Sequence, residues 1–388
     1  MKHRAGALSV LLAASLALVP STVAHADGIR AQQWALDAMH TQQAWQTTKG
    51  KGITVAVLDT GVEADHPDLV GNVLPAQDMI GFGAEQGDRA WARHGTAMAG
   101  IIAGHGHGPG NGDGVMGMAP EAKILPVRVI LEDGDAARGK ARSTRGNALA
   151  EGIRWATDHG ADVINLSLGD DSASAHPEPA EDEAVQYALK KNVSVVASAG
   201  NGGDKGDHVS YPAAYPGVIA ATAVDRFGIR ASFSTRRWYA TVSAPGDKIV
   251  IADPDHKYYE GWGTSAASAF VSGAVALIKA AHPGLTPAQI KQLLEDTARN
   301  PPAGGRDDSR GFGMIDPAAA IKAAGRLKPK ALLAASYGDK YFGSGPDAAT
   351  SDGGTSDWAA PLAGTLGGAL LVAAVFLWRG RRRRFDGF

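Results

Sequence analysis

The chain has 388 residues, 44% apolar and 20% charged, a composition that supports a packed core and excludes a disordered chain. Cysteine is absent, which excludes a disulfide scaffold, thiolate chemistry and cysteine-based zinc sites. The net charge of −2 is unevenly spread: the last ten residues carry +4 and the first 26 carry +2, so the rest carries −8, with no clustered basic face for a nucleic-acid partner.

Residues 1–26 have the parts of a secretory signal peptide. Lys2, His3 and Arg4 form a basic start, ALSVLLAASLALV an apolar stretch, and Ala24-His25-Ala26 a small-x-small cleavage site. Residues 27–50 read as an extension that packs on the domain following it. That domain, 51–327, opens with GITVAVL at 52–58, a nearly continuous β-branched run of the kind buried on both faces of a sheet. Similar runs recur at 124–130, 161–168, 193–198 and 218–224. Helical patterns lie between them, at 144–159 with Ile153, Trp155 and Ala156 on one face, and at 180–191, stopped by Asn192. Such alternation predicts an α/β fold, a parallel sheet with helices on both faces, and ligands at the C-terminal ends of the strands.

Three short motifs sit where that rule places chemistry. Asp59-Thr60-Gly61 ends the first strand. His94-Gly95-Thr96 opens a small apolar helix. Gly263-Thr264-Ser265-Ala266-Ala267-Ser268 opens the apolar helix 266–281. Each alone has a plain explanation: a turn for the Asp, a satisfied core residue for the His, a helix cap for the Ser. Together they supply a nucleophile, a base that takes its proton, and a carboxylate that fixes the base's tautomer.

The order Asp, His, Ser in these contexts resembles the subtilase family of serine proteases, over roughly residues 50–325. VAVLDTGV (55–62), HPDL (66–69), GMAP (117–120), VINLSLG (163–169), SAGNGG (198–203) and VSAPG (242–246) carry the same resemblance. It implies a subtilisin-like three-layer fold and a serine endopeptidase with catalytic Asp59, His94 and Ser265. It further implies that Asn201 donates its side-chain amide to the oxyanion. By the same resemblance, Ser167, Leu168 and Gly169 form the edge that pairs with an extended polypeptide substrate, and Ala199 and Gly200 line the pocket for its P1 side chain. The chemistry requires no cofactor. Calcium stabilises many subtilases, but no Asp/Glu constellation here identifies a calcium site, and no metal site is assigned. His66, in HPDL, lies outside the triad pattern and reads as structural. His105 and His107, in the glycine-rich HGHGPGNGDG, read as part of a flexible loop. Arg138, Lys140, Arg142 and Arg145 follow the strand at 124–130, and this stretch is expected to rim the cleft as a solvated loop that could attract acidic substrate residues.

Residues 328–357 read as a linker. Residues 358–378 carry no charge, and at about 1.5 Å per residue they reach about 31 Å, a bilayer core. Trp358 and Trp378 bracket them and Arg379 follows, so one C-terminal helix is expected to cross the cytoplasmic membrane. The catalytic domain would then lie outside, with 379–388 as a basic cytosolic tail. Only about 24 residues separate the leader from the first strand, too few for a folded inhibitory prodomain. This layout is similar to the mycosins, membrane-anchored subtilases that accompany type VII secretion systems, and implies secretion-system membrane components as partners. Two features depart from the mycosin pattern: there is no cysteine, and Ala269 stands where the nucleophile motif usually has Pro. A protease-like brace for a secretion complex and a general surface protease remain as competing readings.

Overall fold

The computed structural model describes residues 28–329. The expected leader, most of the linker, the membrane helix and the basic tail lie outside the described residues. In chain order the elements are α1 (Trp34–Ala38), α2 (Thr41–Trp45), β1 (Thr54–Asp59), β2 (Gln77–Asp78), α3 (Arg93–Ala103), β3 (His105–His107), β4 (Asp113–Met116) and β5 (Lys123–Arg128). There follow α4 (Arg138–Thr144), α5 (Ala148–Asp158), β6 (Val163–Leu166), α6 (Pro179–Lys190), β7 (Ser194–Ser198), β8 (Ile219–Val224) and β9 (Ala240–Pro245). The hairpin β10 (Ile249–Ala252) and β11 (Tyr258–Gly261) leads into α7 (Thr264–Ala281), α8 (Pro287–Asp296) and α9 (Pro317–Ala324).

Seven strands form one sheet in the order β2-β5-β1-β6-β7-β8-β9, and every pairing within it is parallel. Alternation along each strand builds a separate core on each face. Val55 and Val57 of β1 pack with α3 and α7, whereas Ala56 and Leu58 pack with α5 and α6. Val196 and its neighbours Val195 and Ala197 on β7 divide in the same way. Both faces are therefore covered, which is why the strands read as continuous apolar runs rather than alternating ones. From β1 the chain moves to β5 on one side, then returns to β6 on the other. The resulting crevice lies at the carboxyl ends of β1 and β6, where such sheets bind ligands.

Two sequence readings need correction. The helix expected over 144–159 starts at Ala148, and the preceding stretch 138–144 is itself helical. Residues 145–147, Arg-Gly-Asn, separate the two, because glycine and asparagine favour turns over helix interiors. His105 and His107 lie in the β3–β4 hairpin rather than a flexible loop. His66 is fully buried, its Nδ1 accepts from the Asp68 N–H at 3.1 Å, and burial lowers its pKa. The extension contributes to the domain directly. Leu36 and Met39 join the core, and Trp45 Nε1 donates to the Met118 carbonyl at 2.8 Å.

Among the described residues, α7 is the one helix long and apolar enough to cross a membrane, but most of it is buried within the domain. It is the central core helix. Its small residues allow close approach: a Cβ on Gly273 would lie 2.5 Å from the Cβ of Met118.

Candidate active site

Asp59 is the last residue of β1 and is fully buried. Its carboxylate faces His94, the second residue of α3. His94 Nδ1 lies 2.8 Å from Asp59 Oδ1 and 2.9 Å from Oδ2. Two features hold this approach. The His94 backbone N–H donates to Glu132 Oε1 at 2.7 Å. Residue 95 must be glycine, because a Cβ there would lie 1.9 Å from the Gly61 carbonyl oxygen. Thr60 Oγ1 accepts from the Gly95 N–H, and Asp59 Oδ1 from the Thr60 N–H, so the turn after β1 and the start of α3 lock together.

The imidazole is partly exposed on its other side. Burial opposes its charge, but the Asp59 carboxylate, its hydrogen bond, and the more distant Glu132 and Asp133 outweigh that and push the pKa up to about 9.

Ser265 is the second residue of α7. Gly263 occupies the N-cap, with φ of 144° and no capping side chain, so Ser265 does not serve as the cap. Its Oγ donates to the Ser167 carbonyl at 3.0 Å. Ser167, just beyond β6, returns the contact: its Oγ donates to the Ser265 carbonyl at 3.0 Å and lies 2.8 Å from Ser268 Oγ. Asn165 Nδ2 donates to Ser167 Oγ, and Ser272 Oγ donates to Asn165 Oδ1. These buried polar groups satisfy one another and fix the start of α7 against the end of β6.

Asn201 follows β7. Its Oδ1 accepts from both the backbone N–H of Thr264, at 2.9 Å, and Thr264 Oγ1, at 3.0 Å. With the amide oxygen held by two donors, the Nδ2 group is the part left for a ligand. The backbone N–H of Asn201 donates to Asp171 Oδ2 at 2.8 Å.

One cleft of about 910 Å³ collects these groups. His94, Asn201 and Ser265 line it, as do Ser167, Leu168, Gly169 and Gly200. Asp59 lies behind His94 rather than in the lining, as a group acting through the imidazole does. Ala199 is fully buried and is not among the lining residues; its carbonyl accepts from Tyr239 Oη. Arg138, Arg142 and Arg145 line the cleft from α4 and the turn after it, whereas Lys140 sits over the Phe82 ring at 4.3 Å. Asp171 and Glu132 were not legible as site residues, and the contact of Thr264 with Asn201 was not legible although Thr264 lies in the 263–268 motif. Each acts through a backbone or side-chain partner distant in sequence, and no local motif marks such a contact. Among the described residues no group of three or more His, Asp or Glu is arranged to hold a metal.

The subtilase family model matches residues 50–314, more than half of the chain. The chain belongs to the subtilase family. It is 38% identical to fervidolysin of Fervidobacterium pennivorans over 318 residues, covering 74% of this chain but only 43% of that protein. Against thermitase of Thermoactinomyces vulgaris it is 36% identical, over 69% of this chain and 88% of the relative. Among solved structures it is similar to MycP1 from the ESX-1 type VII secretion system, with a TM-score of 0.63, 30% identity, and coverage of 74% of this chain and 85% of that one.

Proposed function

We propose that this subtilase is a serine endopeptidase that cleaves polypeptides through an acyl-enzyme. The observation that carries the reading is the Asp59–His94 pair opening onto the same cleft as a serine at the start of a long helix. A rotation of the Ser265 side chain away from the Ser167 carbonyl directs Oγ towards the imidazole; resting active sites often tighten such contacts only when substrate binds. Oγ attacks the scissile carbonyl carbon while His94 Nε2 takes its proton. The oxyanion is met by the Asn201 amide and the Ser265 N–H at the positive end of α7. The C–N bond then breaks, the imidazolium returns its proton to the leaving amine, and water hydrolyses the ester by the same route. Asp59 keeps Nδ1 protonated throughout. Hydrolysis of a fluorogenic peptide library by the full-length protein, lost in Ser265→Ala, tests this; equal hydrolysis by both proteins would overturn it.

The finer assignment is a membrane-anchored, extracytoplasmic mycosin that works beside a type VII secretion system. The similarity to MycP1 and the expected leader and C-terminal membrane helix support it. Fractionation of cells producing the full chain checks the location: protein in the membrane pellet, with its domain accessible to added protease, is the expected result. Complementation of a gene deletion by Ser265→Ala separates the enzyme from a brace, since restored secretion would assign the essential role to scaffolding.

A further inference from the structure

Charge is unevenly spread along the cleft: the side after β5 mixes arginines with acids, and the side after β6 carries an excess of carboxylates. Arg138, Arg142 and Arg145 line it from the segment after β5 together with Glu132 and Asp133, while Asp170, Asp171, Glu178 and Glu181 line it, beside His176, from the segment after β6. In the sheet β1 lies between β5 and β6, so Asp59 and His94 sit between the mixed side and the anionic side.

The anionic end is the one joined to the oxyanion donor. Asp171 Oδ2 accepts the N–H of Asn201, and Asp170 exchanges backbone hydrogen bonds with Tyr211 at 2.9 and 3.2 Å. A peptide whose reacting carbonyl oxygen meets Asn201 carries the side chain of that same residue on the adjoining carbon. This acyl-side side chain therefore enters between the Ser167-Leu168-Gly169 edge and the Gly200, Ser210 and Tyr211 wall. A Cβ on Gly169 would lie 2.7 Å from the Tyr211 carbonyl oxygen, so the two walls meet closely beside that entry.

Glu181 lines the same end from the first turn of α6, partly buried. Its Oε2 accepts from Tyr215 Oη at 3.0 Å, and the Tyr215 ring tilts against Tyr211 at 5.1 Å. Burial raises the pKa of Glu181, the Tyr215 hydroxyl opposes that rise, and the like charges of Glu178 and Asp170 add to it. Its charged form thus lacks full hydration and faces repulsion, and a cation relieves both. Each of the other carboxylates also has a partner: Glu178 pairs with His176 at 2.9 Å, Asp171 holds Asn201, and Asp170 Oδ1 accepts from the Ser172 N–H at 2.9 Å. A long apolar stem ending in a cation suits a carboxylate reached past Leu168 and Tyr211.

We propose that the cleft selects a lysine or arginine on the acyl side of the scissile bond, with Glu181 reading the charge. This rests on the protease reading above.

The test uses the full-length protein and peptide amides that differ only at the acyl-side residue: lysine, norleucine as its uncharged counterpart, and glutamate. The expected wild-type kcat/KM favours lysine over norleucine by about tenfold or more, the size of a partly desolvated charge pair, with glutamate poorest. Glu181→Gln lowers the lysine-to-norleucine ratio by about tenfold. Glu178→Gln, on an exposed neighbour, lowers it by about threefold and carries the variant arm if Glu181→Gln fails to fold. A wild type that prefers norleucine, or a ratio unmoved by both substitutions, overturns the proposal and leaves the protease reading standing. Failure to cleave any of the three, together with no reaction of Ser265 with a fluorophosphonate, overturns both.

Discussion

Asp59 and Asp68 are both fully buried, and each lies within hydrogen-bond distance of a partly exposed histidine Nδ1, at 2.8 Å for His94 and 2.6 Å for His107. The difference is what else each carboxylate holds. Asp59 turns both oxygens to His94, with one further bond to the adjacent Thr60 N–H. Asp68 divides its oxygens among three elements: His107 on β3, the Val115 N–H on β4 and Tyr258 Oη on β11. The first arrangement orients one ring; the second ties strands and loops together. An Asp–His contact therefore says little by itself. It becomes chemistry when the imidazole's other face opens on a cleft with a serine at a helix start.

The sharpest way to break this comparison is to remove the charge at each site in turn. Asp59→Asn lets the imidazole adopt the wrong tautomer and should lower kcat/KM on the order of 10⁴-fold. Asp68→Asn should leave kcat/KM within about threefold but cost about 1–3 kcal/mol of stability, because a buried acceptor of several bonds is altered. Peptide kinetics and calorimetry on both variants check the pair. Comparable losses of activity from the two would end the distinction.

The proposed oxyanion side gives the next largest effect. Asn201→Ala should lower kcat about 100- to 1,000-fold with little change in KM, a magnitude measured in subtilisin itself for this kind of donor. Thr264→Val sharpens the same point. Thr264 Oγ1 holds the amide oxygen of Asn201, so its loss should lower kcat by about tenfold while KM stays near wild type, as expected of a positioning residue. An increase in KM alone would place Thr264 outside this role.

The smallest effect is on pH dependence. In the proposed mechanism His94 must be neutral to take the serine's proton, and Asp59 with Glu132 and Asp133 raises its pKa from 6.5 towards about 9. Activity should therefore rise with pH, with its acid limb between those values. Glu132→Gln removes one raising charge and should move the limb to lower pH by a few tenths of a unit. A limb unmoved by that change, or below 6.5 in the wild type, would contradict the electrostatics described here.

Much of this was legible in the sequence because strands covered on both faces must be apolar throughout, as Val55 to Leu58 are. The positions of Asp59, His94 and Ser265 at one site were legible because each ends a strand or starts a helix within a short motif. What was not legible depended on contacts made far along the chain. Asp171 meets Asn201, 30 residues away, and Asn165 meets Ser272, 107 residues away. The 138–144 segment, rich in Arg and Lys, looked like a loop because its single buried residue, Ala141, sets no periodicity. Ala199 follows a strand whose residues alternate between faces, so its neighbour Gly200 reaches the cleft and it does not.

The most direct test of the central claim is to treat the full-length protein with a fluorophosphonate and map the adduct by peptide mass spectrometry, beside His94→Ala and Asp68→Asn. One adduct on Ser265, formed at similar rates in wild type and Asp68→Asn and nearly abolished in His94→Ala, is the result expected. An adduct on another residue, or equal labelling of Ser265 without His94, would contradict the account.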